Sequence, residues 1–162
     1  MKDEHARRLD AVLTGYTEKA EQRAAQLEKS RTAEGDFCAE AGEAFKKVVR
    51  PAMEAIQAKL RDGRYDCDIV EQDETIANNM KTRPKSITMK VRVPPPRGPH
   101  VTRATHEVSF TVVSHEKTVS VTSSSSLGAD QQPQPRTTFE VSKLTSDAVT
   151  GELVRFLEEL IR

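Results

Sequence analysis

The sequence has no tryptophan and two cysteines, and its seven glycines are scattered. Each scarcity closes a class of reading. Cys38 and Cys67 are too few for a disulfide framework and form no C-x-x-C pair. The glycines build neither G-x-G-x-x-G nor G-x-x-x-x-G-K-[ST], so no phosphate-cradling loop is written here. G-x-S-x-G and H-E-x-x-H are missing too, which removes the serine elbow and the helical zinc-peptidase site. No apolar run approaches the length of a membrane span, and the opening MKDEHARRLD has none that could act as a leader. A cytoplasmic protein with free thiols and no membrane partner is the expectation.

At 162 residues the chain is long enough to bury a core. Charged residues make up 31% and apolar residues 36%, and the apolar ones recur with clear periods, which speaks against disorder outside loops. Twenty-five bases balance twenty-five acids, so no net field draws a polyanion.

From Asp3 to Asp62 the period is helical. Leu9, Leu13, Tyr16, Ala20 and Leu27 form a narrow stripe that lapses at Arg23, Ser30 and Glu34, as in a short, imperfect coiled-coil seam. Phe37, Ala41, Phe45, Val48, Ala52, Ile56 and Leu60 form a second stripe, broadened by Val49 and Met53, as expected of a helix packed on a sheet. The polar stretch Glu28–Asp36, with Gly35, predicts a break or bend. Pro51 predicts a kink about one turn earlier, and Gly63 a stop.

After Gly63 the period becomes two. Strands are expected around Tyr65–Val70, Ser86–Val93, Val108–Val113 and Val119–Val121, with Ser114–Lys117 as a tight turn and Phe139 and Val141 in a last short strand. Residues 123–136, SSSSLGADQQPQPR, read as a flexible loop, and Thr145-Ser146-Asp147 as the cap of a closing helix with Val149, Leu153, Phe156, Leu157, Leu160 and Ile161 on its apolar face. The fold class is therefore α+β, with long, kinked or broken N-terminal helices, an antiparallel four- to five-stranded meander and a C-terminal helix packed on the sheet. Residues 1–34 form a helical extension and 35–162 a single α+β domain. This order of elements resembles that of small α+β folds such as the cystatin-like group, a likeness that fixes no function.

Residues 81–103 hold seven bases and no acid, and Lys81, Arg83, Lys85, Arg97 and Arg103 are candidate polyanion contacts. Two features oppose that reading. The segment has no aromatic residue on which a base could stack. The preceding Tyr65–Met80 carries five acids and no base, so a hairpin would set Lys90 and Arg92 on one face with Asp66 and Asp68. Nucleic acid is not the expected partner, and weak binding through this segment ranks third among the functions considered. Pro94-Pro95-Pro96 is read as a stiff connection that must leave the sheet.

Candidate chemistry is sparse. Asp66-x-Asp68 begins like a calcium loop, but Glu71 stands where glycine is required and Ala77 where the bidentate glutamate belongs. His106 and His115 would sit about 30 Å apart along one strand, too far to share a metal. Cys67 lies between two aspartates, a poor setting for a thiolate, and Cys38 reads as a small core residue. The threonines and serines of 118–126 read as a solvated sheet face, open to an added strand if they lie on an edge. No catalytic residue, metal or cofactor is expected. The favoured function is a non-catalytic assembly protein that forms a homo-oligomer, a dimer, through the Leu9–Leu27 stripe. The alternative is a small-ligand or enzymatic pocket between sheet and helix, lined by Phe45, Met53, Met89, Phe110 and Phe139.

Overall fold

Strong helix formers carry the chain from Asp3 to Asp62 with one irregularity. The computed structural model describes residues 3–77, 80–94, 103–126 and 132–161. Helix α1 spans Asp3–Ala44, and the expected break at Glu28–Asp36 does not occur. A lone glycine costs a helix only about 1 kcal/mol against alanine, and neighbours such as Ala24, Ala25, Glu28 and Ala33 offset it. The chain divides into two compact units, Met1–Asp36 and Phe37–Arg162.

The kink expected before Pro51 takes the form of a π-helical turn, Phe45–Val49, after which α2 runs Arg50–Asp62. Pro51 offers no amide hydrogen to the turn before it. The Arg50 amide bonds back five residues, to the Phe45 carbonyl, which widens the helix at that point. The helix stops at Gly63 as expected, with Asp62 its last residue and Gly63 its C-cap. The left-handed residue is Arg64, at φ 65°, while Gly63 has φ −79°. The Arg64 amide donates to Arg61 O at 3.0 Å and the Tyr65 amide to Leu60 O at 2.9 Å, a Schellman-type close.

Five strands form one antiparallel sheet in the order β1 (Asp66–Gln72), β4 (Ser86–Val93), β5 (Ala104–Val113), β6 (Thr118–Ser125), β7 (Gln134–Phe139). Between β1 and β4 the chain makes a separate two-stranded sheet, β2 (Thr75–Ala77) with β3 (Met80–Arg83), which the sequence reading left unassigned. The proposed loop at 123–136 is shorter than expected. Ser123–Ser125 continue β6, Gln134–Arg136 belong to β7, and only 127–131 lie outside the described residues. Val141 is not in a strand but in a 3-10 turn, Val141–Lys143. Pro135 is tolerated because β7 is an edge.

The sheet has one apolar face. Ile87, Met89 and Val91 from β4, Val108, Phe110 and Val112 from β5, and Val119 and Val121 from β6 are all buried there. Phe37, Ala41, Phe45, Val49, Met53 and Ile56 cover part of it, and α3 (Ser146–Ile161) adds Val149, Leu153 and Phe156. Thr145 caps α3 as expected, its Oγ1 accepting the Ala148 amide at 3.2 Å.

One charged cluster enters this core. Arg136 of β7 is only 9% exposed and donates from Nε to Glu152 Oε1 at 2.6 Å, where Glu152 is 5% exposed. Its Nη1 and Nη2 reach the two carboxylate oxygens of Glu159 at 2.7 and 3.0 Å. The guanidinium also lies 5.8 Å from the centre of the Phe156 ring. Removing one partner of a buried pair strands the other charge. Arg136→Ala is therefore expected to cost about 3–5 kcal/mol in denaturant unfolding, whereas Arg136→Met with Glu152→Leu, which removes the charges together, should cost clearly less.

Candidate functional site

Within Met1–Asp36, taken by itself, the seam residues point to solvent. Leu9, Leu13, Tyr16 and Leu27 are 49%, 55%, 74% and 66% exposed, Ala20 is exposed as well, and Val12, which the sequence reading omitted, is 68% exposed. Steps of three and four along Leu9, Leu13, Tyr16 and Ala20 put them on one side of the helix.

The basic stretch is dispersed along the sheet. Arg92 Nη1 meets Asp68 Oδ2 at 3.0 Å, Arg103 Nη1 meets Asp66 Oδ2 at 3.1 Å, and Lys85 Nζ meets Asp73 Oδ1 at 3.2 Å. Lys90 pairs with Glu107 of β5 at 3.1 Å, although its register partner in β1 is Asp68. Each of these pairs is at least partly exposed, so its energy is about a few tenths to 1 kcal/mol. Its consequence is neutralisation, as the acid run before Met80 implied. Arg83 is exposed in β3, the Lys81 side chain falls outside the described residues, and so do residues 95–102, Arg97 and His100 among them. Lys85 precedes β4 and Arg92 is its penultimate residue, about 23 Å of strand apart. The candidate contacts do not converge.

Of the five proposed pocket residues, Phe45, Met53, Met89 and Phe110 are buried in the core, and Phe139 packs partly buried against it. Open space lies elsewhere. An apolar pocket of about 190 Å³ opens between Leu60, Tyr65, Val91, Val93, Leu157, Leu160 and Ile161. Beside it, and sharing Val93, is a pocket of about 130 Å³ among Arg64, Asp66, Arg92, Pro94 and Arg103. A pocket of about 180 Å³ is bordered by His106, Ser123, Ser125, Phe156 and Glu159, next to the Arg136 cluster. Another of about 280 Å³ is bordered by Cys38, Lys85, Val112, Ser114 and His115. Ser114-His115-Glu116-Lys117 has S-x-x-K spacing, yet it forms the turn between β5 and β6, with Lys117 at φ 53°.

Burial pushes the Cys67 thiol up to about 11, and Asp68 adds to the effect. Cys67 is buried opposite Val91, while Cys38 is half-buried, and neither is in a disulfide. Burial also lowers the pKa of His106, which shares the core-facing parity of Val108 and Phe110. No group of three or more His, Cys, Asp or Glu side chains is placed to hold a metal among the described residues. No helix among them is long and apolar enough to cross a membrane.

The hydroxyl face is present in part: Thr118, Ser120 and Thr122 alternate with buried Val119 and Val121, whereas Ser123 and Ser125 take the core-facing parity. Thr88 Oγ1 and Ser109 Oγ bond at 2.7 Å, and Ser109 pairs in register with Thr122. However, β6 lies between β5 and β7 and is not an edge, so it cannot accept an added strand. The edges are β1, which carries Asp66, Asp68 and Glu71, and β7, which carries Pro135. Charge and proline are both known guards against edge pairing. The Arg136 cluster was missed from sequence. Its only signal was a glutamate at 152 on the face of α3 that also carries Val149, Leu153 and Phe156.

No protein-family model, curated protein or solved structure matches this chain.

The thiols provide a direct check. In native protein an alkylating reagent should modify Cys38 first and reach Cys67 only on unfolding. In the unfolded chain Cys67 ionises near 9.0, but in the folded protein only near 11, so its contribution to stability is full below pH 9 and is lost as pH rises towards 11. The fall in unfolding midpoint across that window should be shallower in Cys67→Ala than in wild type.

Proposed function

We propose that this protein is a non-catalytic assembly protein that self-associates as a dimer through the N-terminal helical stripe. The observation that carries the reading is the exposure of Leu9, Val12, Leu13, Tyr16 and Leu27 on a continuous helix. A polar helix of this length with solvated leucines gains stability by covering them. Spacing of three and four residues is the pattern by which helices pair along a seam.

A second copy of the chain suits the stripe for reasons of charge. Residues 1–36 hold seven bases and eight acids, interspersed, so the helix presents no single-signed face that would select an oppositely charged foreign partner. The lapses at Arg23, Ser30 and Glu34 weaken the seam and favour a dimer that dissociates at micromolar concentration over a permanent one. The two free thiols support placing this association in the cytoplasm. The pairing of Lys85, Arg92 and Arg103 with aspartates supports protein rather than nucleic acid as the partner.

Sedimentation of the full chain tests the reading. Wild type is expected at twice the 18.0 kDa chain mass, and Leu13→Glu with Leu27→Glu at the single mass with unchanged sheet circular dichroism and unfolding midpoint. A wild type that stays monomeric at high micromolar concentration would overturn it. A double variant that unfolds would also do so, because the stripe would then be buried within its own chain.

A further inference from the structure

We infer that the pocket beneath the last turns of α3 binds a small neutral polyol, such as a single-ring sugar. It lies on the helix-covered face of the sheet, at the place where the inward alternation changes character. On β5 the inward positions run Val112, Phe110, Val108 and then His106, and on β6 they run Val119, Val121 and then Ser123 and Ser125. A branched aliphatic side chain at each of the last three would have continued the core. The imidazole and the hydroxyls instead border a pocket of about 180 Å³, with Phe156, Glu159 and Leu160 on its helical side. That is below the roughly 300–1,000 Å³ typical of drug-sized sites, which suits a ligand of one ring.

Hydrogen-bonding chemistry selects the ligand. Hydroxyl, amide and neutral imidazole groups each donate and accept, and so do the hydroxyls of a polyol. Gln134 of β7, in register with Ser123, brings the amide to the pocket. The His106 and Gln134 side chains have no hydrogen-bond partner among the described residues, so their polar atoms are left to solvent or to a ligand. Burial lowers the pKa of His106, which keeps its imidazole neutral at pH 7.

Charge selects against an ion. Arg136 bonds to Glu152 at 2.6 Å and to both carboxylate oxygens of Glu159, and Arg155 Nη1 lies 3.5 Å from Glu152 Oε2. Two guanidiniums balance two carboxylates, so this wall offers a charged ligand no net counter-charge. Phe156 and Leu160 supply an apolar patch for the C–H face of a ring. A few convergent polar groups around an apolar patch are the usual make-up of a small-molecule site.

Amide shifts of the isotope-labelled full chain, titrated with D-ribose, D-glucose and myo-inositol, test the site, with cyclohexanol as the ring that carries one hydroxyl. Saturable shifts at His106, Ser123, Ser125 and Leu160 are expected with at least one of the three polyols, and cyclohexanol should bind at least about fivefold more weakly, the worth of one neutral hydrogen bond. His106→Val should raise the urea midpoint, because an aliphatic group replaces an unpartnered, half-buried polar one, and should weaken binding by the same factor. Gln134→Ala, at an exposed position of the edge strand, should weaken binding similarly and leave the midpoint unchanged. No saturable shift with any of the three, cyclohexanol bound as tightly, shifts confined to other residues, or unchanged affinity in both variants would each overturn the proposal. So would a lowered midpoint in His106→Val, which would assign the imidazole to the fold.

Discussion

A sheet with one apolar face has to be covered, and the arrangement of Phe37–Arg162 follows from how that is done. Strict alternation on β4, β5 and β6 places Ile87, Met89, Val91, Val108, Phe110, Val112, Val119 and Val121 on a single side. At roughly 25 cal/mol per Å² of apolar surface, leaving these side chains wet would cost more than the net stability of an ordinary domain. Two helical segments from opposite ends of the sequence supply the cover. The π-helical turn at Phe45–Val49 sits where the first of them meets the sheet, with Phe45 and Val49 both buried.

Where the apolar supply runs out, the cover becomes polar. Where the start of β5 meets the end of β6 the core-facing positions are His106, Ser123 and Ser125, and Arg136 reaches in from the edge strand to Glu152 and Glu159. A buried ion pair of this type adds little net stability, because desolvation offsets the attraction. Its geometric demand is strict, and it joins β7 to α3. In the same last turn of α3, Leu160 also borders an apolar gap with Leu60, Val91 and Leu157.

Several expectations failed for local reasons. Gly35 was weighed as a breaker, but one glycine among good helix formers is only a small penalty. The serine-rich run at 123–126 was assigned to a loop by composition. Pairing with β5 keeps it in β6, as in Val108 with Ser123 and His106 with Ser125. The short β2–β3 pair had too few residues to show a period.

The sequence by itself determined the α+β class, the helical and alternating segments, the one-sided sheet and the partition of opposite charges between neighbouring strands. Each of these depends on residues near one another in the chain or on a period repeated several times. Only the tertiary structure decided which residues meet across distance. It brought Arg136 to Glu152 and Glu159, made β6 an internal strand, packed Met53, Met89 and Phe110 into a core, and set an apolar pocket next to Tyr65. Strand order and helix placement are set by the covering of the whole apolar face at once, and that sum has no signature in any single stretch of sequence.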